Sequence, residues 1–409
     1  MKKETKKAPI IRFRGFTDDW EQRKLGAIFE EYSDKGHPNL SALTIIQGGG
    51  TIRRDDSDRN LQYDKKSLAN YKKVETGDFI VHLRSFEGGL EKATTSGIIS
   101  PAYHTFHGEG TDSRFYYCYF RSERFINHDL KPHVYGIRDG RSIDIEGMKT
   151  INIPWTKVEE QKAIGNYIDC LDNLITLHQR KLDQLKKLKK YFLQNMFPTK
   201  GEKVPRIRFK GFTGDWKQRK FGEIAEYKKG PFGSALKKDF FIPDSATSVK
   251  VYEQQNAINK NWNLSRYYIS KEYAQKLKSF EVHAGDIIVS CAGTIGEIYE
   301  LPAQSRSGII NQALMRIRVD EETVCKDIFK LAFSNMIDSF SREFSNGSAI
   351  KNIPPFADLK PMKVLLPNKD EQKIIGDFFT DIDKTITLHQ RKLNQLQTMK
   401  KFMLQNLFI

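Results

Sequence analysis

Two triplets, Glu160-Gln161-Lys162 and Glu371-Gln372-Lys373, have the E-x-K spacing with which nuclease sites place a carboxylate and a lysine beside a phosphodiester. Each opens a helical segment, where Glu and Gln serve capping, and no partner aspartate accompanies either, so they read as helix starts. Asn352-Ile353-Pro354-Pro355-Phe356 resembles the Asn-Pro-Pro-Phe of amino-methyltransferases, but Ile353 interrupts it. No Gly-rich strand-to-helix turn for a nucleoside cofactor precedes it, so a loop ending before Leu359 is the reading. No GxxxxGK[ST] occurs, and with it goes the P-loop. Gln47-Gly48-Gly49-Gly50-Thr51 could cradle a phosphate through its backbone N–H groups. Without further motif around it, the more modest reading is a flexible loop against nucleic acid or solvent. His178 and His389 could bind a metal together, yet two histidines make a thin site; a polar pair that fixes helix register is preferred. Cys118, Cys170, Cys291 and Cys325 show no metal spacing and read as reduced thiols of a cytoplasmic protein.

The elements that hold these residues are written twice. The segments Glu159–Phe197 and Asp370–Phe408 are identical at roughly 22 of 39 aligned positions, at a constant offset of about 211 residues. In the first, Ile168, Leu171, Ile175, His178, Leu182 and Leu185 fall at alternating gaps of three and four. Phe379, Ile382, Ile386, His389, Leu393 and Leu396 repeat that register in the second, and Lys189 and Lys400 continue it. This is a coiled-coil seam held for about four heptads. Thr156 before Glu159 and Asn368 before Glu371 have capping-box spacing, and Pro198 closes the first helix. An apolar seam needs a partner, and the other copy is at hand, so an intramolecular antiparallel pair is expected. The run from Arg180-Lys181 to Lys190 reads as a solvated or partner-facing side, with phosphate contact left open.

A second repeat precedes each helix. IRFRGFTDDWEQRKLGAI, from Ile11, matches IRFKGFTGDWKQRKFGEI, from Ile207. Trp20 and Trp216 recur there and read as packing anchors. Between cassette and helix, at about 25–155 and 221–367, lie strand-rich stretches. GDFIVHL and GDIIVSC follow Gly-Asp turns, and SGIIS and SGIIN come some 20 residues later, which predicts a shared strand scaffold. The loops differ: QGGGTIRRDDSDR in the first half, KKGPFGSALKK and YEQQNAINKNW in the second. One scaffold with unlike polar loops is how one fold reads two targets.

The chain has 409 residues, 39% hydrophobic and 11% aromatic, with 67 Lys and Arg against 51 Asp and Glu and a net charge of +16. No apolar run approaches the roughly 18 residues of a membrane span, and the basic opening, residues 1–8, reads as a disordered tail with no signal-peptide core. The charge points to a polyanionic partner, with an ordinary basic surface as the alternative. Arg and Lys read guanine, and Asn and Gln read adenine. The candidates are Gln47, Thr51, Arg53, Arg54 and Arg84 in the first half, with Gln254, Gln255, Asn256, Asn259 and Lys260 in the second; Lys229, Lys237 and Lys238 are assigned to phosphates.

The doubled helix motif, EEQKAIG…LDNLITLHQRKLDQLKKLKKYFLQNMFP and its twin, together with GFTDDW and GFTGDW, resembles the specificity subunit of a type I restriction-modification enzyme. The likeness spans nearly the whole chain. It implies an α+β protein with two similar target-recognition domains, at 1–157 and 199–368, and two conserved spacer helices, at 158–198 and 369–409, paired antiparallel in a pseudo-twofold repeat. It further implies a non-catalytic DNA-binding subunit whose domains each read half of an asymmetric, bipartite double-stranded site. The helices would set the spacer and dock two modification (methyltransferase) subunits, with restriction subunits joining for cleavage. S-adenosylmethionine, ATP and Mg would belong to those partners, and this chain would hold no cofactor or metal. Two other readings stay open: a single-chain DNA methyltransferase or nuclease, and a coiled-coil scaffold that never touches DNA.

Overall fold

The computed structural model describes residues 8–57, 65–136, 141–199, 201–344 and 353–408; the basic opening residues 1–7 and Asn352 lie outside them. The chain forms two compact units, one of Met1–Lys181 with His389–Ile409, the other of Leu182–Leu388. Each unit therefore contains one strand-rich domain, half of one long helix and half of the other.

In the first unit, Glu30–Tyr32, His104–His107, Phe79–Val81 and Glu91–Lys92 make a four-stranded antiparallel sheet in that order. Phe79–Val81, from GDFIVHL, is buried on both faces, which explains its unbroken apolar run. Phe29 packs edge-to-face on Phe79 at 5.3 Å and on Tyr116 at 4.9 Å, in a core shared with the helix Ser113–Phe120. The cassette strand Glu21–Lys24 pairs antiparallel with Asn152–Trp155, the strand that runs into the first long helix.

The second unit repeats this scheme. Lys217–Lys220 pairs with Lys363–Leu366, and Ala225–Lys229, Leu314–Val319, Ile287–Ser290 and Ile298–Glu300 make the equivalent sheet. A second sheet orders Tyr267–Ser270, Ser248–Tyr252, Gly308–Ile310 and Glu281–Val282, with a parallel pairing at its centre. Glu30 faces His107 across its ladder as Glu226 faces Arg318, so the two scaffolds share register as well as strand order.

The long helices run Val158–Asn195 and Lys369–Asn406, 38 residues each, or about 57 Å at 1.5 Å per residue. They pair antiparallel in each unit. In the first, His178 meets His389 and Lys400 meets Asp172, while Ile168, Leu171, Leu396 and Leu407 share one core. In the second, Lys189 meets Asp383 at 2.6 Å and Phe192 packs edge-to-face on Phe378 at 5.0 Å. The seam leucines Leu182 and Leu393 are buried. Ile175, Leu185 and Ile386 are half-buried, because two helices cover only one side of each other. The lysines at the seam, Lys189 and Lys400, stay there by reaching equivalent aspartates on the facing helix.

Candidate nucleic-acid interface

Two Glu-Gln pairs fasten each strand-rich domain and its cassette to the start of a long helix. Glu160 accepts from Arg12 Nε at 2.6 Å, Arg12 Nη2 at 2.8 Å, Trp20 Nε1 at 3.0 Å and the Thr156 hydroxyl. Glu371 accepts from Arg208 Nε at 2.7 Å and Nη2 at 2.8 Å. Gln161 Oε1 accepts from the Asp112 N–H at 2.9 Å, and Gln372 Oε1 from the Cys325 N–H at 2.8 Å, each at the start of a domain helix. Both carboxylates are buried and fully engaged, so the E-x-K triplets are joints between cassette, domain and helix. The capping expected of Thr156 is redirected, since its hydroxyl goes to Glu160. Asn368 does cap, accepting from the Glu371 N–H at 2.9 Å.

In the first domain the Gly-rich loop cradles an anion, but that anion is the protein's own. Gly48 and Gly50 N–H donate to the buried Glu91 carboxylate at 2.6 and 3.2 Å, and Tyr117 and Arg121 complete its shell. Gln47 is exposed and abuts Gly88, which brings it beside the turn carrying Arg84. Arg84 is exposed and paired with Glu87 at 2.7 Å; Arg53 is exposed at the end of the hairpin Leu43–Ile46/Gly50–Arg53. Gln47, Arg53 and Arg84 are thus available to a ligand. Thr51 is not: it is buried, and its hydroxyl and N–H bond Thr94. Arg54 is half-buried, with Nε on the Leu43 carbonyl at 3.3 Å and its guanidinium over Tyr71 at 5.3 Å, a structural role. Beside Arg84, burial with Arg121 and Arg84 nearby pulls the His82 imidazole down to about 4.

In the second domain Lys229, Lys237, Lys238, Gln255, Asn259 and Lys260 are exposed. Asn259 Nδ2 donates to Gln255 Oε1 at 2.8 Å, and Lys260 Nζ to Glu297 at 2.9 Å, so these amides and this ammonium start from internal partners. Asn256 is removed from any contact surface: its Oδ1 accepts from the Glu253 N–H, and its Nδ2 donates to the Asn261 and Leu264 carbonyls. Gln254 lies half-buried beside Gly293. Two residues absent from the expectation join this end of the domain. Gln312 is exposed next to Gly233, and Phe232 stands out from the same loop. A trace of Gln312 was present in sequence, where SGIIN runs into Gln while SGIIS runs into Pro101.

The histidine pair sits in the seam with Nδ1 to Nδ1 at 2.9 Å, a distance at which one nitrogen carries the proton and the other accepts it. Among the described residues no group of three or more His, Cys, Asp and Glu could hold a metal. Away from the seam the helices keep apolar side chains in water. In the first unit these are Leu174, Leu177, Met399 and Phe402; in the second, Leu188, Tyr191, Ile374 and Leu388. Leu177 with Leu388, Leu188 with Met399 and Tyr191 with Phe402 are equivalent across the repeat. Among the described residues no helix is long and apolar enough to cross a membrane.

Comparison with known proteins agrees with this geometry. The type I restriction modification DNA specificity domain matches twice, at residues 17–187 and 213–398. The type I restriction enzyme MjaVIII specificity subunit of Methanocaldococcus jannaschii is 24% identical over 71% of this chain and 68% of its own. The putative MjaX specificity subunit of the same organism is 26% identical over 64% of this chain and 59% of its own. Among solved structures, the type I restriction-modification S subunit from M. genitalium covers 98% of this chain and 99% of its own, with a TM-score of 0.60 at 13% identity. A chain from a study of complex assembly and conformational transition of the type I system covers 94% and 96%, with a TM-score of 0.51 at 15% identity.

Proposed function

This chain belongs to the type I restriction-modification DNA specificity family as a specificity subunit, and from that premise we propose how it divides its work. Each recognition domain reads one half of an asymmetric, bipartite double-stranded site, and the paired helices set the unspecific spacer between the halves. The observation that carries this reading is a repeated frame with unrepeated loops. The Arg12–Glu160 and Arg208–Glu371 joints and the Asp172–Lys400 and Asp383–Lys189 bridges recur at equivalent positions. The loops held by that frame, around Gln47 and Arg84 in one domain and around Phe232 and Gln312 in the other, have no residue-by-residue match.

Phosphate contacts by Arg53, Lys229, Lys237 and Lys238 position the domains, and Gln47, Arg84, Gln254, Gln255 and Gln312 face base edges. Two modification subunits dock on the exposed apolar side chains of the helices, one at each equivalent set. They bring S-adenosylmethionine, while the restriction subunits bring ATP and Mg. Mapping methylated adenines in cells expressing this chain with its modification subunit tests the division. A two-part motif with an unspecific gap is expected; one continuous motif would overturn it. Lengthening both helices by one heptad should change the gap and leave both half-sites as they were.

A further inference from the structure

We propose that Phe232 is an apolar wedge, entering the base stack at the half-site that the C-terminal domain reads; this rests on the DNA reading above. Phe232 is 90% exposed, more than any other large hydrophobic side chain among the described residues. It does not stand on a frayed end. The Gly230 N–H donates to the Leu314 carbonyl at 2.9 Å, Pro231 is buried, and the Ala235 N–H donates to the Phe232 carbonyl at 2.9 Å. The Tyr273 hydroxyl holds the Ala235 carbonyl at 2.8 Å, and Leu236 is buried just beyond. Gly230 is required for this placement, because a Cβ there would collide with the Asn311 carbonyl. The loop is thus braced on both sides of a ring that faces water.

The surroundings select the ligand. Lys229, which ends the strand entering this loop, and Lys237 and Lys238, which follow it, are exposed, and the Gln312 amide lies next to Gly233. Lysines meet phosphates and amides meet base edges; a bare ring between them has the chemistry of a side chain that parts or caps a base step. The nearby aromatics are already taken, since Phe240 stacks on Tyr273 at 4.3 Å and Phe241 on Tyr267 at 4.2 Å. Phe232 has no ring partner among the described residues. The first domain has Pro38-Asn39-Leu40 before its Ser-Ala-Leu where the second has Pro231-Phe232-Gly233; Leu40 is 38% exposed against 90% for Phe232, so the protruding ring belongs to the second domain.

The test uses the full chain assembled with its modification subunit, on duplexes bearing the mapped site with 2-aminopurine placed at successive steps. A fluorescence rise confined to steps of one half-site is expected. F232A should abolish the rise and weaken sequence-specific binding by about 10- to 100-fold, with unchanged melting temperature. F232L, which keeps apolar bulk, should retain the rise and bind within a few-fold of the parent chain. An unaltered rise and affinity in F232A would overturn the wedge. So would loss of subunit assembly with DNA signals intact, which would make the ring a protein contact. Failure of the parent assembly to select any duplex sequence would instead sink the DNA reading beneath it.

Discussion

Replacing Glu160 with Ala tests how the N-terminal domain is fastened to its helix. The carboxylate is 1% exposed and serves four donors, two from Arg12, one from Trp20 and one from Thr156. Breaking a buried ion pair by removing one partner costs about 3–5 kcal/mol. Arg12 is 14% exposed and regains some water, which places the ion-pair share near the lower figure. The Trp20 and Thr156 donors are also left buried without an acceptor, at about 1–3 kcal/mol each before overlap between them is discounted. E160A should therefore lose about 4–5 kcal/mol. At about 2–4 °C per kcal/mol for a unit of this size, the first unit should melt roughly 10 °C or more below the parent.

The other repeat supplies the control. Glu371 serves Arg208 alone, and Arg208 keeps the Gly214 and Thr213 carbonyls when the carboxylate goes; Trp216 Nε1 already has no acceptor. E371A should lose about 3 kcal/mol, less than E160A. Likewise, Trp20→Phe should cost more than Trp216→Phe, because only Trp20 gives up a hydrogen bond. Calorimetry of the four variants reads the order directly. Equal losses for E160A and E371A would refute the share assigned to the Trp20 and Thr156 donors, and a loss under about 1 kcal/mol for E160A would refute the idea that this carboxylate is a joint.

In the seam, His178→Leu with His389→Leu should be neutral to stabilising by about 1 kcal/mol, whereas either change alone strands its partner and should cost about 1–3 kcal/mol by chemical denaturation. For His82, the unfolded chain takes up its proton near 6.5 while the folded imidazole waits until about 4. Stability should thus fall as pH drops from about 6.5 toward 4, and H82Q should flatten that dependence in urea titrations across the range. Asn256→Ala should cost about 2–3 kcal/mol in stability and leave the methylated motif unchanged, as expected for a side chain bonded wholly inside the domain. Lys229→Ala should do the reverse, lowering the slope of log affinity against log salt by about one and sparing stability.

The amino-acid sequence carries the doubled architecture, the two long helices, their seam and the buried strands in legible form. Each of these follows from short-range periodicity that a chain must carry openly: gaps of three and four for a half-covered helix, an unbroken apolar run for a strand buried on both faces. It also placed Trp20 and Trp216 in the core, since a repeated tryptophan beside repeated apolar residues has little else to do. What the polar residues are for emerges only once the chain has folded. Thr51 and Arg53 stand two apart on one strand, yet one bonds Thr94 inside the domain and the other faces water. Asn256 and Gln255 are neighbours with opposite fates. The N–H groups of Gly48 and Gly50 have the makings of a phosphate cradle and are filled by Glu91, a carboxylate some 40 residues away in the chain. A hydrogen-bonding group has the same chemistry whether its partner is a base or its own fold. Only the folded chain, by bringing distant segments within 3 Å, fixes which partner it has.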